Sequence, residues 1–494
     1  MHALLVALTI PLASPYVAIT VIDPETGRGV PMVELKTVNN IRLYTDSAGR
    51  IAFHEPGLMN RQVYFHIKSH GYEYPRDGFG YRGKRFLTKP GSQITLKIKR
   101  VNLAERLYRV TGAGIYRDSK LLGIKAPIAK PNLNALVLGS DSVVNVVYRG
   151  RIYWFWGDTN RAAYPLGNFH VPGATSPLPG KGGLDPNVGI NFNYFTNKQG
   201  FARPTARMPG DGPTWIDGLV VLKNGSQERL FAKYVKVRKG LKIYERGMVE
   251  FDPKTNKFVH RAKFDMKAPL YPAGHSFIHQ QAGRQYVYFA KPYPFTRVAA
   301  DPKSLLDLSR YECFTCVMAG STKDNIKLDR DAQGGVRYRW RRNSLPMTLP
   351  LHRRLVQQGK LKANEALLRM RNAKTNKTIH LHAGSVHWNA YRKRWVMIAN
   401  QQFGRSFLGE VWYSEAPKVT GPWRKAVRIV THDKYSFYNP RHHPMFNQQG
   451  GRLIYFEGTY SHTFSGNKDQ TPRYDYNQMM YRLDVSRVAK FFRK

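Results

Sequence analysis

Cysteines, acidic residues and long apolar runs are all scarce in this 494-residue chain. Its two cysteines, Cys313 and Cys316, exclude a disulfide-dense scaffold, and no second cysteine pair exists to complete a four-ligand zinc site. The surrounding residues, SRYECFTCVMAG, lack the βαβ context of a thioredoxin-like redox motif. We therefore expect a buried thiol pair or a local disulfide.

No apolar run reaches the length of a membrane-spanning helix. The run ALLVALTIPLA, residues 3–13, has the length of a signal-peptide core and is followed by Ser14-Pro15. Its start carries little positive charge, and Pro11 stands where a cleavage site prefers a small residue, so a first β-strand is the alternative. We expect residues 1–15 to be a signal peptide and the protein to be secreted, periplasmic or at the cell surface.

The scarcity of acidic residues leaves a large positive charge. The chain has 78 Lys and Arg against 33 Asp and Glu, a formal net charge of +45. Such a field attracts polyanions, among them nucleic acid, an anionic membrane surface, or an acidic or sulfated polysaccharide. The basic residues are spread along the chain without a basic arm, and no nucleic-acid motif is present, so no specific nucleic-acid partner is expected. A generally basic surface is the alternative to a broad anionic ligand.

The aromatic content, 13%, favours strands, and 42% apolar residues suffice for packed cores. Residues 16–100 alternate apolar and polar side chains around short turns, which predicts a small β-sandwich. Residues 101–125 are predicted to be a linker. From 126 to 494 short aromatic strands recur in antiparallel units, which favours a five-bladed β-propeller over a pair of sandwiches. The predicted fold class is all-β, interrupted by a basic helical insertion at 349–372, and we expect a monomer.

The most informative stretch is LGSDSVVNVVYRGRIYWFWGDTN, residues 138–160. It predicts a strand after Asp141, a turn at Arg149-Gly150 and a second strand that ends at Asp158. An antiparallel hairpin brings the outer ends of its strands together, so both carboxylates should lie on one rim of a sheet. Such a pair can act as general acid and base on a glycosidic bond; alternatively, each aspartate only caps a turn.

Other polar residues at predicted strand ends extend this candidate site. Asp217 and Glu410 begin strands and are further candidate catalytic carboxylates, with a turn cap or a structural hydrogen bond as the alternative. Candidate substrate contacts are side chains that could stack on sugars, bind hydroxyls or pair with anionic groups: Trp156, Trp215, Tyr460, His275, His387, Arg203 and Glu457. Core packing is the alternative for the aromatic ones. No metal and no other cofactor is predicted.

The N-terminal module has a recognisable order of turns. Its pattern D-x-x-T-G-x-G-V-P, then T-D-x-x-G, then F-x-I-x-x-x-G-Y resembles the carboxypeptidase-regulatory-like β-sandwich over residues 16–100. That resemblance implies a non-catalytic spacer or adhesion role.

The larger region resembles five-bladed propeller glycosidases. Segments 414–430 and 438–461 are similar to a blade-closing strand and the final blade of arabinanase- and levansucrase-type propellers. Gly139-Ser140-Asp141 and Gly157-Asp158-Thr159 resemble the first blade of the family that contains bacterial endo-D-arabinanases. This implies that Asp141 and Asp158 are the catalytic carboxylates. The helical insertion and the N-terminal module depart from that family, so the substrate does not carry over.

The leading hypothesis is an exported glycoside hydrolase that cleaves an anionic or decorated polysaccharide at the channel mouth of a propeller. A non-catalytic carbohydrate-binding or cell-surface propeller is the first alternative. A binder of polyanions or nucleic acid, driven by the net charge, is the second.

Overall fold

A computed structural model describes residues 14–492, so the predicted signal-peptide core at 3–13 lies outside the described residues. The chain divides into two compact units. One comprises the residues up to Val101 together with Gly114–Pro127, and the other comprises Asn102–Ala113 and the chain from Ile128 onward. Strands dominate both units, which confirms the predicted all-β fold class. No helix within the described range is long and apolar enough to span a membrane.

The first unit is built of β-strands around one hydrophobic core. Its strands are β1 (Val17–Ile22), β2 (Glu34–Thr37), β3 (Arg42–Tyr44), β4 (Arg50–Phe53), β5 (Gln62–Lys68), β6 (Tyr72–Glu73), β7 (Gly83–Leu87), β8 (Gln93–Lys97) and β9 (Lys99–Arg100), with helix α1 (Arg117–Leu121). The sheets run β4-β1-β8, β3-β2-β5-β7 and β6-β9. Alternate side chains of β1 are buried because successive residues of a strand point to opposite faces. Ile19, Leu35 and Phe65 bring both larger sheets into the same core.

The second unit contains the remaining strands. They are β10 (Glu105–Arg109), β11 (Val137–Ser140), β12 (Val144–Tyr148), β13 (Arg151–Phe155), β14 (Thr159–Arg161), β15 (Tyr164–Asn168), β16 (Gly173–Ser176), β17 (Asn193–Tyr194), β18 (Thr214–Asn224), β19 (Gln227–Arg238), β20 (Lys242–Asp252), β21 (Lys257–Lys263), β22 (His275–Gln281), β23 (Arg284–Ala290), β24 (Thr296–Ala299), β25 (Glu312–Thr315), β26 (Arg339–Arg341), β27 (Arg371–Asn372), β28 (Leu381–Asn389), β29 (Arg394–Gln401), β30 (Val411–Ala416), β31 (Lys425–Val430), β32 (Ser436–His442), β33 (Leu453–Ser461) and β34 (Asn477–Asp484). Its short helices are α2 (Pro302–Leu305), α3 (Leu349–Gln357) and α4 (Ser486–Ala489). Single 3-10 turns lie at Pro56–Leu58, Lys239–Leu241, Leu308–Arg310, Pro444–Phe446 and Gln449–Gly451.

Besides the small sheet β11-β14-β15, five sheets follow one another along the second unit. Sheet 1 is β12-β13-β16-β17, sheet 2 is β18-β19-β20-β21, sheet 3 runs from β22 to β26, sheet 4 is β28-β29-β30-β31-β27, and sheet 5 is β32-β33-β34-β10. Their first strands contact one another in chain order. The side chain of Arg441 in β32 then hydrogen-bonds Asn145 in β12, which closes a ring. This is the arrangement of a β-propeller, and β10 ties the beginning of the unit to its end in one sheet.

Hydrophobic cores lie between consecutive sheets. Phe155 packs between sheets 1 and 2, Val287 between sheets 2 and 3, Met397 between sheets 3 and 4, and Trp154 between sheets 5 and 1. Because neighbouring sheets cover both faces, strands such as β13 bury side chains that point in opposite directions.

Three segments differ from or refine the expectations from sequence. The segment 101–125, predicted as a linker, carries β10, whose five residues are all buried because they complete sheet 5. The helical insertion predicted over 349–372 is helical only over α3, and Gly359 follows with a φ of 69°, a left-handed conformation that ends helices. Cys313 and Cys316 are buried free thiols, and burial raises the pKa of Cys316 to about 11.

Candidate active site

The predicted hairpin forms and places two carboxylates at its open end. β12 pairs antiparallel with β13 from Val144–Phe155 to Tyr148–Arg151. Arg149 and Gly150 make the two-residue turn, both with positive φ, as a tight hairpin turn requires. Beyond the strands, the Asp141 amide donates to the Asp158 carbonyl at 3.1 Å, so these two residues lie side by side. The hairpin prediction is confirmed.

Two tyrosines and one glycine fix the Asp141 carboxylate. The hydroxyls of Tyr438 and Tyr476 each donate to Asp141 Oδ2 at 3.0 Å. Asp141 Oδ1 lies over Gly157, where an added Cβ would be 2.0 Å from it. Only glycine therefore leaves room for this carboxylate. We name Asp141, Asp158, Trp215, Tyr438 and Tyr476 the rim site.

Both aspartates of the rim site have raised pKa values. Burial, together with the neighbouring charge of Asp158, raises the pKa of Asp141 to about 7, although the tyrosine hydroxyls act against this rise. Burial also raises the pKa of Asp158, whose Oδ1 accepts a hydrogen bond from Trp215 Nε1 at 2.8 Å. Two neighbouring carboxylates ionise together only at a high cost. Near neutral pH the pair can thus offer one protonated and one ionised group.

Left-handed backbone is concentrated beside Asp141. Ser142, Asn439 and Tyr476 have φ values of 50°, 50° and 57°, although none of them is glycine. The Asn439 Nδ2 donates to Ser142 Oγ at 2.8 Å, and the Ser142 amide donates to Thr459 Oγ1 at 2.9 Å. Such conformations persist only where surrounding contacts hold them, and they are common at functional sites.

Part of the rim site is accessible to solvent. Asp141, Asp158 and Trp215 are each partly exposed. Phe464, 49% exposed, lies edge-on to Tyr438 with ring centroids 5.4 Å apart. A carboxyl pair flanked by partly exposed aromatic rings suits a sugar, whose apolar faces stack on such rings.

Asp217 lies next to the rim site along the ring. Its Oδ2 accepts hydrogen bonds from Lys233 Nζ at 2.8 Å and from the Gly274 amide at 3.3 Å. The latter contact joins β18 to the start of β22, where His275 follows. Asp217 is thus an ion-paired carboxylate. It lies on β18, two residues after Trp215, and its contact with Gly274 brings it close to His275.

Arg441 connects three sheets beneath the rim site. From β32 its Nε donates to Asn145 Oδ1 at 2.8 Å, and its Nη1 donates to His275 Nδ1 at 2.7 Å. Since arginine has no acceptor, His275 must carry its proton on Nε2. Asn145 Oδ1 is occupied by Arg441, so its Nδ2 donates to His443 Nδ1 at 2.8 Å. We name Arg441, Asn145, His275, His443 and Glu457 the axial network.

Glu457, which was predicted to contact substrate, is fully buried in this network. His443 Nε2 lies 3.1 Å from its Oε1 without hydrogen-bond geometry, and neither oxygen has a hydrogen-bond partner among residues 14–492. Burial raises the pKa of Glu457 to about 8, against the attraction of Arg441. Burial and the charge of Arg441 hold the pKa of His443 well below its usual value. Both shifts favour the neutral forms of these groups.

We expect Glu457→Gln to become more stable than the wild type as the pH rises from about 4.5 to 8. In that window the folded wild type keeps a proton that the unfolded chain has released, so its stability falls with pH, while the glutamine does not titrate. Thermal unfolding at pH 4, 6 and 8 measures the difference. Glu250→Gln is the control of opposite sign, because Arg229 lowers the pKa of Glu250, and this variant should lose stability at neutral pH. A melting-temperature difference between Glu457→Gln and wild type that does not change with pH would contradict a raised pKa.

Trp156 and Tyr460 do not offer a face to a sugar, contrary to the prediction. Trp156 is 1% exposed and lies near Trp154 and Phe192 in the core between sheets 5 and 1. Tyr460 is fully buried and stacks on Tyr435 with ring centroids 4.2 Å apart. Packing in the protein interior therefore covers both rings.

Glu410, His387 and Arg203 are not brought into the rim site. Glu410 is 2% exposed and lies 3.0 Å from Arg428 Nη1, which makes it a buried ion-pair partner. His387 lies edge-on to His442 with ring centroids 5.2 Å apart. Arg203 lines a separate groove. Within residues 14–492 no group of three or more His, Cys, Asp or Glu is arranged to hold a metal ion.

Sequence reasoning missed the residues that arrive from the far end of the chain. Tyr438 and Tyr476 lie about 300 residues after Asp141, and no spacing rule links them to it. The available signal was their position near the beginnings of β32 and β34, where a strand end meets the rim. Arg441 was missed as well, because its partners Asn145 and His275 lie in distant parts of the chain.

Comparison with known proteins leaves the family open. No protein-family model matches the chain, and no curated protein matches it. Among solved structures, an exo-beta-1,3-galactanase from Phanerochaete chrysosporium is similar with a TM-score of 0.36 and 11% identity, over 71% of this chain and 62% of that one. An exo-1,5-alpha-L-arabinanase from a bovine ruminal metagenomic library has a TM-score of 0.36 and 10% identity, over 71% and 94%. The GH43_1 enzyme from Xanthomonas citri has a TM-score of 0.32 and 12% identity, over 70% and 86%. The chain thus spans less than two thirds of the galactanase, and scores this low carry no argument about chemistry.

Proposed function

We propose that this protein is a glycoside hydrolase whose rim site cleaves a polysaccharide. The observation that carries the proposal is the coupling of two partly exposed aspartates, Asp141 and Asp158, beside aromatic rings. Glycosidic cleavage needs one carboxyl group that protonates the leaving oxygen and one carboxylate that acts on the opposite side. A pair whose pKa values are raised, that of Asp141 to about 7, supplies a protonated and an ionised group near neutral pH.

The surrounding residues support this chemistry. Tyr438 and Tyr476 donate to Asp141 and hold its carboxylate in one orientation, while Trp215 holds that of Asp158. Fixed orientation lets a carboxyl group act without first reorganising. The ring of Trp215, partly exposed beside Asp158, is placed to stack on a sugar bound at the carboxyl pair.

The proposal extends to the organisation and setting of the protein. Sheets 1 to 5 would be the blades of a five-bladed propeller, with the rim site at the mouth of its channel. The net charge of +45 favours an anionic or decorated polysaccharide as the substrate, and the run at 3–13 favours export. The first unit would be a non-catalytic spacer or adhesion module.

The test is a panel of polysaccharides assayed for new reducing ends. The panel contains uronate-rich, sulfated and neutral arabinan substrates, and it compares the wild type with Asp158→Asn. We expect the wild type to cleave at least one substrate and Asp158→Asn to leave it intact. Asp307→Asn, which changes an exposed carboxylate on a surface turn, is the matched control and should cleave normally.

Two results would contradict the proposal. Cleavage that persists in Asp158→Asn would remove this aspartate from the reaction. Binding of a polysaccharide by the wild type without any new reducing ends would instead make the rim site a carbohydrate-binding site without catalysis.

A further inference from the structure

A groove on the second unit carries a concentration of positive charge away from the rim residues. It has a volume of about 690 Å³, in the range of ligand sites, and is lined by Arg203, Pro204, Thr205, Arg207, Thr255, Lys257 and Phe258. Three of these seven residues are cationic and none is acidic. Pro204 and Phe258 supply an apolar wall between the charges.

The cations of the groove are not neutralised by the protein. Arg207 and Lys257 are exposed, and neither has an ion-pair partner among the described residues. Arg203 donates through Nη2 to the Thr255 carbonyl at 2.7 Å, and its guanidinium lies 5.9 Å from the Phe195 ring centroid. Asp252, the last residue of β20, stands opposite Lys257 in the strand register, but it does not line the groove, and its carboxylate accepts from Lys254 N and Thr255 Oγ1.

One further cation, Lys236, lies near the groove and acts with Arg207 on His170. Burial, then the charges of Lys236 and Arg207, lower the pKa of the nearby His170. Lys236 is itself buried, and its ammonium donates to the carbonyls of Gly210 and Gly212 at 2.8 Å, while the charges of Glu245 and Asp211 also act on it. A groove with unpaired cations and no acid attracts anionic groups.

Two backbone hydrogen bonds connect the groove with the rim site. The Thr214 amide, next to Trp215, donates to the Phe169 carbonyl at 3.1 Å. The Ala206 amide, next to Arg207, donates to the carbonyl of the following residue, His170, also at 3.1 Å. The segment Phe169-His170 therefore connects the backbone beside Trp215 with the backbone beside Arg207.

We infer that this groove is a subsite for the anionic group, sulfate ester or carboxylate, of a polysaccharide chain whose neighbouring sugars reach the rim site. Arg207 and Lys257 pair with the anionic group, and Arg203 lines the base. The link between the groove and cleavage rests on the proposed function. Binding of an anionic group in the groove does not depend on it.

The experiment measures binding without turnover in the Asp158→Asn background. Isothermal titration calorimetry uses three carbohydrate probes: sulfated dextran, its unsulfated parent, and an oligouronate. Arg207→Gln/Lys257→Gln removes the two unpaired charges. Lys239→Gln/Lys242→Gln, on the exposed β19–β20 turn, removes the same charge elsewhere and is the matched control.

We expect the groove variant to lose at least tenfold in affinity for the sulfated probe or the uronate probe, and the control variant to keep it. The probe that loses affinity identifies the anionic group, and the unsulfated parent should bind all variants equally. Equal losses in both variants would overturn the inference, because a diffuse field and not the groove would then bind the anion. Unchanged affinity in the groove variant would overturn it as well. Tight, groove-dependent binding without cleavage by the wild type would refute the proposed hydrolysis and leave the groove standing.

Discussion

Asp141→Asn should lower kcat by about 10²–10⁴-fold on any polysaccharide that the wild type cleaves, with a much smaller change in KM. The substitution keeps the size of the side chain and an oxygen that can accept from Tyr438 and Tyr476. It removes the carboxyl whose pKa is raised to about 7, and with it the acid–base couple. Initial rates of reducing-end release measure the effect, with Asp307→Asn as the surface control.

The pH dependence provides a second reading of the same pair. The pKa of Asp141 is raised to about 7 partly by the charge of Asp158, so it should fall in Asp158→Asn. Carbon-13 NMR titration of the Asp141 carboxyl in wild type and variant measures this shift directly. A pKa near 4 in the wild type, or no change on substitution, would show that the two carboxyls are not coupled. A kcat for Asp141→Asn within threefold of the wild type would exclude this aspartate from the chemistry.

Arg441→Met should destabilise the second unit by about 3 kcal/mol or more. The methionine can fill much of the space, but it leaves Asn145 Oδ1 and His275 Nδ1 without the donors that lie 2.8 and 2.7 Å away. It also removes the positive charge that favours an ionised Glu457. Removing the guanidinium relieves its own burial cost, yet the orphaned buried acceptors outweigh that gain.

Urea unfolding followed by tryptophan fluorescence measures this change. All eight tryptophans lie between residues 154 and 423, so the signal reports on the second unit. Arg261→Met, which breaks an exposed ion pair with Glu250, should cost less than about 1 kcal/mol. Arg441→Lys keeps the charge with fewer donors and should fall between wild type and methionine. An Arg441→Met protein as stable as the wild type would show that the axial network does not hold the sheets together.

Local pattern predicted much of the fold. Alternation and turn residues gave the strands and the hairpin of Asp141 and Asp158, because both depend on neighbours within about 20 residues. The length of the helix at 349 and the strand at 105–109 were misjudged. Gly359, with its positive φ, ends the helix. The strand β10 forms because it pairs with β34 as the outer strand of sheet 5, a contact with the far end of the chain.

The environment of each side chain depended on the tertiary structure. In a two-layer sandwich, alternation separates buried from exposed residues, but in this ring of sheets both faces are covered. Trp156 and Trp215 therefore look alike in sequence, although one is in a core and the other is partly exposed beside Asp158. The same holds for Glu457, which the sequence places at a strand end like Asp158 but which lies in the middle of β33 and is fully buried.

The sequence by itself determined an all-β chain, a strong positive charge and two aspartates at one end of a hairpin. Only the tertiary structure decided that Tyr438 and Tyr476 hold one of them, and that Arg441 joins sheets 1, 3 and 5. The reason is that short-range periodicity specifies strand and face, whereas contacts across some 300 residues arise when the last sheet closes the ring onto the first.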